Sequence, residues 1–120
     1  MGYNFANDKP IFLQLADVIK GQIVSGKLLA CEKLPSVRDL AFEFGVNPNT
    51  VQKALQILED EGLIYTDRTN GKFVSDSQDK ISVTKKKIIT QEINAFFDKL
   101  KSMGLTESEI VKMINERGSD

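Results

Sequence analysis

The chain has no histidine and only one cysteine, Cys31, among its 120 residues. Without histidine it lacks the commonest general base and a common zinc ligand, and one thiol cannot assemble a ligand set alone. A single cysteine excludes an internal disulfide and suits a reducing compartment. No run approaches the ~20 apolar residues that span a bilayer. The N-terminus, Met1-Gly-Tyr-Asn-Phe-Ala-Asn-Asp, has no basic region ahead of an apolar one, as a secretory leader would. Neither a nucleophile–base pair nor a glycine-rich phosphate loop is visible. These absences lead us to expect a cytoplasmic, non-catalytic protein with no cofactor, no metal and no membrane partner.

A strong excess of either charge is also missing. The formal net charge is −1, with 28% charged and 41% hydrophobic residues, an ordinary globular balance. The length supports one compact domain and a small appendage. Charge is nevertheless segregated. Lys33, Arg38, Lys53, Arg68 and Lys72 surround one candidate surface, while Glu59, Asp60 and Glu61 fall together roughly three turns along a helix, where they are expected to face away from it.

Apolar spacing predicts a first helix over Pro10–Ser25, from Ile11, Leu15, Val18, Ile19 and Ile23, with Gly26 as its stop. Residues 27–35 form a connector. Ser36, with Asp39 three residues on, caps a second helix whose face is Leu40, Ala41 and Phe44. Gly45 is suited to the left-handed turn that ends it. Asn47 as N-cap, Pro48 at the first helical position and Val46 with Val51 as a staple mark the start of a third helix, 48–61. After Gly62 the period changes. Leu63-Ile-Tyr-Thr and Phe73-Val are strand-like, with Asn70-Gly71 as a hairpin turn. This is a helix-turn-helix followed by a wing.

Asp76-Ser-Gln-Asp reads as part of a linker. Ile89, Ile93, Phe96, Phe97, Leu100 and Met103 then form an aromatic stripe on a helix from about Ile81 to Gly104. Thr106 and Glu109 open a short last helix with a capping box, and Leu105 with Ile110 form its staple. Lys85-Lys86-Lys87 reads as a solvated face. The expected class is mainly α with a small β-hairpin: a winged helix-turn-helix domain (1–75), a linker (76–80) and a two-helix dimerisation tail (81–120).

Asn49, Gln52 and Lys53 project from the first turns of the third helix, with Asn47 and Thr50 at its threshold. Amides in this position can bond bidentately to adenine and lysine to guanine, so the helix fits a major groove. Asn47 could equally serve only as a cap. Arg38 is placed to reach a phosphate, unless it pairs with Asp39 or Glu43. Arg68, Gly71 and Lys72 make a wing (67–72) suited to the backbone or the minor groove. The aromatic stripe must be covered, either by the same chain or by a second copy; a twofold dimer would present two reading helices to half-sites ~10 base pairs apart. A small apolar effector near Phe96 and Phe97 is a further expectation. A winged helix can also serve protein–protein contact; the amides and the basic wing favour double-stranded operator DNA.

Leu34-Pro-Ser-Val-Arg-Asp-Leu-Ala, Gly45-Val-Asn-Pro-Asn-Thr-Val-Gln-Lys-Ala-Leu and Leu58-Glu-Asp-Glu-Gly-Leu-Ile resemble the DNA-binding domain of the GntR family of bacterial transcription regulators. Pro10-Ile-Phe-Leu-Gln-Leu and Gly71-Lys-Phe-Val extend the likeness to about residues 9–75. The short tail resembles the YtrA-type branch, which dimerises through its last two helices. The resemblance implies a homodimeric repressor of palindromic operators, with phosphate- and base-contacting residues at Ser36, Arg38, Asn47, Asn49, Thr50, Gln52 and Lys53 and a wing glycine at Gly71. Two positions depart from the family pattern: Pro48 stands where longer branches often carry an arginine, and Thr69 where a glycine is common.

Overall fold

The structure is a computed structural model that describes residues 3–118. Its elements run α1 (Ile11–Val24), α2 (Val37–Phe44), α3 (Pro48–Asp60), β1 (Ile64–Asp67), β2 (Gly71–Val74), α4 (Gln78–Ser102) and α5 (Glu107–Arg117). The chain divides into two compact units, residues up to Thr84 and residues from Lys85 onward.

In the first unit, α1, α2 and α3 enclose one apolar core. Leu15, Ile19, Val51, Ala54, Leu55 and Leu58 are almost wholly buried, and Leu63, Ile64 and Val74 seal it from the wing side. At ~25 cal/mol per Å² of apolar surface, this burial is the main force holding the three helices together. α1 begins at Ile11, because Pro10, at φ −52° and ψ 139°, is its N-cap residue. The Gln14 amide ties down the segment before it, accepting from Ala6 N–H and donating to the Ala6 and Lys9 carbonyls.

The turn between α2 and α3 follows its sequence signals. Ser36 Oγ accepts from Asp39 N–H at 3.0 Å. Gly45 adopts φ 67°, which lets Val46 N–H donate back to the Ala41 carbonyl. Asn47 Oδ1 accepts from Asn49 N–H at 2.8 Å, and Pro48 opens α3.

The wing differs in its turn. β1 and β2 pair antiparallel with Ile64 opposite Val74 and Asp67 opposite Gly71, which leaves a three-residue loop, Arg68–Asn70. The expected Asn70-Gly71 turn does not form: of the two, Gly71 alone has a positive φ, at 106°. The cause is Asp67, whose carboxylate accepts from the N–H groups of Thr69 and Asn70 and from the Asn70 side chain. These three donors hold the Asp67 carboxyl below its ordinary range, the Thr69 N–H foremost.

The connector supplies a third edge that the sequence did not announce. Cys31 N–H donates to the Val74 carbonyl, Val74 N–H to Glu32 and Leu34 N–H to Lys72, while Lys33 bridges Phe73. Cys31 takes φ 66° to enter this edge and is exposed. The exposed Tyr65 stacks on Phe73 across the two strands at 5.7 Å.

α4 begins at Gln78, ahead of the expected start at about Ile81, because Ser77 Oγ accepts from Lys80 N–H. Its first turns belong to the first unit, with Ile81 packed on the core. In the second unit no α4 residue is buried. α5 has a complete capping box between Thr106 and Glu109 and buries Ile110. Among the described residues no helix is long and apolar enough to cross a membrane.

Candidate nucleic-acid interface

The sequence of α3 sorts its residues onto two sides. Val51, Ala54, Leu55 and Leu58 are buried, while Asn49, Gln52, Gln56 and Asp60, spaced by three and four, are exposed along one helical face with Lys53 beside Gln52. Asn49, Gln52 and Lys53 put two amides and an ammonium in the first two turns.

The side-chain oxygen of Asn47 is committed to the helix start, and so is that of Ser36 on α2. Asn47 therefore acts as a cap, while its amide NH2 remains for a ligand. Thr50 is half-buried behind it. Gln52 and Asn49 have no structural duty that explains their type. Gln56, which the sequence reading passed over, continues the face and donates to Asp60 Oδ1 at 2.8 Å; its spacing of four from Gln52 was the available signal. Lys53 Nζ sits 5.5 Å from the centroid of the Phe12 ring on α1.

Arg38 is exposed on α2. The ion pairs among the described residues are Lys9–Asp17, Lys20–Glu61 and Lys72–Glu59, so Arg38 pairs with neither Asp39 nor Glu43. Beside it, the α2 N-terminus and the wing enclose an open groove of about 370 Å³, lined by Lys33, Ser36, Arg68, Gly71 and Lys72 among others. Lys33, Arg68 and the half-positive helix end bring positive charge to this groove, and Asp67, whose carboxylate is engaged by the loop N–H groups, is the one acid of its lining.

Lys72 is placed differently from Arg68. Its ammonium donates to Thr66 Oγ1 at 2.7 Å and to Glu59 Oε1 at 3.3 Å, and Thr66 donates to the same carboxylate. Glu59 was expected to point away from the basic surface with Asp60 and Glu61; it turns instead onto the wing. The Thr66 hydroxyl above all, with Lys72, holds the Glu59 carboxyl below its ordinary range, against a burial that acts the other way. Glu61 pairs with Lys20 on α1. No group of three or more metal-binding side chains forms among the described residues.

In the second unit, Ile89, Ile93, Phe96 and Met103 are exposed and Phe97 and Leu100 half-buried, with Phe96 and Phe97 edge to face at 6.0 Å. Val111, Met113 and Ile114 of α5 are exposed as well.

Comparison with known proteins bears on both units. Residues 12–74 match the family of bacterial regulatory proteins, gntR family. The chain is 36% identical over 114 residues to the HTH-type transcriptional regulator YhcF of Bacillus subtilis, covering 95% of this chain and 94% of YhcF. It is 43% identical over 68 residues to the HTH-type transcriptional repressor YtrA of the same organism, 57% of this chain and 52% of YtrA. A GntR family transcriptional regulator from Listeria monocytogenes superposes with a TM-score of 0.86 at 33% identity, over 93% of this chain and 98% of that one. The AraR DNA-binding domain, solved in complex with operator ORE1, superposes with a TM-score of 0.55 at 32% identity, over 62% of this chain and 93% of that one. The resemblance seen in the turn motif is thereby borne out: the chain belongs to the gntR family of bacterial regulatory proteins, transcriptional regulators rather than enzymes.

Proposed function

We propose that the protein is a homodimeric repressor that reads palindromic operator DNA with α3 in the major groove. The observation that carries this is the exposed face of α3, where Asn49, Gln52 and Lys53 face solvent on a helix whose opposite side is fully buried. Amides and lysine are the groups that discriminate adenine and guanine edges. Arg38, Thr50, the Asn47 amide and the backbone end of α2 at Ser36 take phosphates. On the wing, Arg68 and the open backbone at Gly71 meet the backbone or the minor groove, with Lys72 one pair behind the tip. The likeness to a domain solved on its operator supports this placement, and the likeness to YtrA supports repression.

The dimer rests on the spacing of α4. Ile89, Ile93, Phe96, Leu100 and Met103 recur at alternating steps of four and three, the seam of two packed helices. Four of the five are exposed in the single chain. A contiguous apolar stripe of this kind is a surface for another chain.

The test is selection of bound sequences from a random duplex pool, then affinity for the enriched duplex at several salt concentrations. Enrichment of a palindrome with steep salt dependence is the expected result. No enrichment would point to the winged helix as a protein-contact module.

A further inference from the structure

Three elements meet at one carboxylate on the edge of the wing. Glu59 lies in the last turns of α3, and Thr66 on β1 and Lys72 on β2 are direct partners across the hairpin. Lys72 donates to Thr66 and Glu59, and Thr66 donates to Glu59, so the three polar groups close a ring. The ring is half-sheltered, with the Lys72 and Glu59 side chains 24% and 33% exposed. Lys33 and Arg68, the other cations of the groove, enter no ion pair among the described residues.

This arrangement bears on how Lys72 acts. Two of the three ammonium donors of Lys72 are spent inside the ring, and a phosphate drawn to the third would be brought close to the Glu59 anion. Counterion release counts cations that neutralise phosphates, and a lysine already neutralised within the protein contributes none. A two-stranded hairpin is marginal alone and needs outside support; apolar burial of Ile64 and Val74 supplies it at the base, and the Glu59 ring adds a polar tie to α3 one pair from the tip.

Building on the operator-reading assignment above, we propose that Glu59 and Lys72 are positioning residues of the DNA interface. Through Thr66 they fix the wing against the recognition helix, and Lys72 touches no phosphate. The wing's phosphate contacts then fall to Arg68 and Lys33.

The test uses the full chain and the duplex enriched by selection, with affinity measured across a salt series. Lys72→Met is expected to weaken binding about tenfold, the scale of one or two lost polar contacts, with an unchanged salt slope. Arg68→Ala is expected to lower the slope by about 0.9. Lys72→Glu should bind more weakly than Lys72→Met, and the exchanged pair Glu59→Lys with Lys72→Glu should recover most of the loss. The exchanged pair keeps the ion pair, so it reports even where Lys72→Met unfolds. A slope reduced by about 0.9 in Lys72→Met, wild-type binding by that variant, or an exchanged pair no better than Lys72→Glu alone would each overturn the proposal. If the wild-type chain enriches no duplex, the operator reading itself falls, and this proposal with it.

Discussion

The Lys53 ammonium lies over the Phe12 ring at 5.5 Å, so a cation of the exposed α3 face is held from α1. A long side chain that is already oriented loses less freedom on binding. The same contact ties the two helices that share the most extensive packing in the domain. We expect a double-mutant cycle of Phe12→Leu and Lys53→Met, followed by urea unfolding, to give a coupling of about 0.5–1 kcal/mol, the range of an exposed cation–π contact. Zero coupling would show that the ring merely adjoins the lysine.

Gln52 and Arg38 should separate base reading from phosphate binding. Gln52 is exposed on the α3 face and Arg38 is unpaired on α2. Gln52→Ala should cost about 1–3 kcal/mol of operator affinity and relax preference at one base pair, leaving the salt slope intact. Arg38→Ala should weaken binding to all sequences alike and lower the slope by about 0.9. Equal behaviour of the two variants across a panel of single-base operator changes would contradict these roles.

Gly45 sets the angle between α2 and α3 by adopting φ 67° and ψ 40°. Any residue with a Cβ is strained there by roughly 1–2 kcal/mol, asparagine least. Gly45→Ala should therefore lower the unfolding free energy by about that amount, and Gly45→Asn by less. Urea unfolding of the three proteins gives the order directly.

What the sequence disclosed was local. Asn47-Pro48, Gly45 and the Thr106–Glu109 box sit within one turn of the partners they serve, so their types alone place α2, α3 and α5. The exposed face of α3 was legible for the same reason, because periodicity assigns sides. The misses are side-chain or long-range effects. Asp67 captures the N–H groups of Thr69 and Asn70 and so overrides the Asn-Gly turn signal. The connector edge at Cys31–Leu34 pairs with residues about forty positions on, and Glu59 meets Lys72 across thirteen; no spacing rule reports such meetings.

Acid should loosen the wing through Glu59. Its carboxyl is held below the ordinary range in the folded chain, first by the Thr66 hydroxyl and also by Lys72. The unfolded chain therefore takes up the proton first as pH falls, at about 4.3 for an ordinary glutamate. The stabilisation is fully present above that value and is lost as pH drops through the lower folded value. Glu59→Gln should accordingly show a shallower loss of stability than wild type as pH falls through that window. Identical acid profiles would mean that the Glu59 carboxylate contributes nothing to folding. Asp67 and Glu109 are shifted in the same direction and remain in both proteins, so they cancel in this comparison.

Phe96 offers the cleanest test of the dimer. It is 48% exposed in the single chain, so a charge placed there should not disturb the protomer, whereas Phe97 is half-buried and could. On the proposed seam, Phe96→Glu would bring two carboxylates toward a twofold contact and remove an aromatic anchor from each side. The expected loss is about 2 kcal/mol or more of dimer stability, typical of a central interface residue. Sedimentation equilibrium should show a monomer at concentrations where wild type is dimeric, with unchanged helix content by circular dichroism. Operator affinity should fall with it, because separated protomers no longer share the binding of two half-sites. A Phe96→Glu protein that remains dimeric would place the interface on another face, with the exposed Val111, Met113 and Ile114 of α5 the next to test.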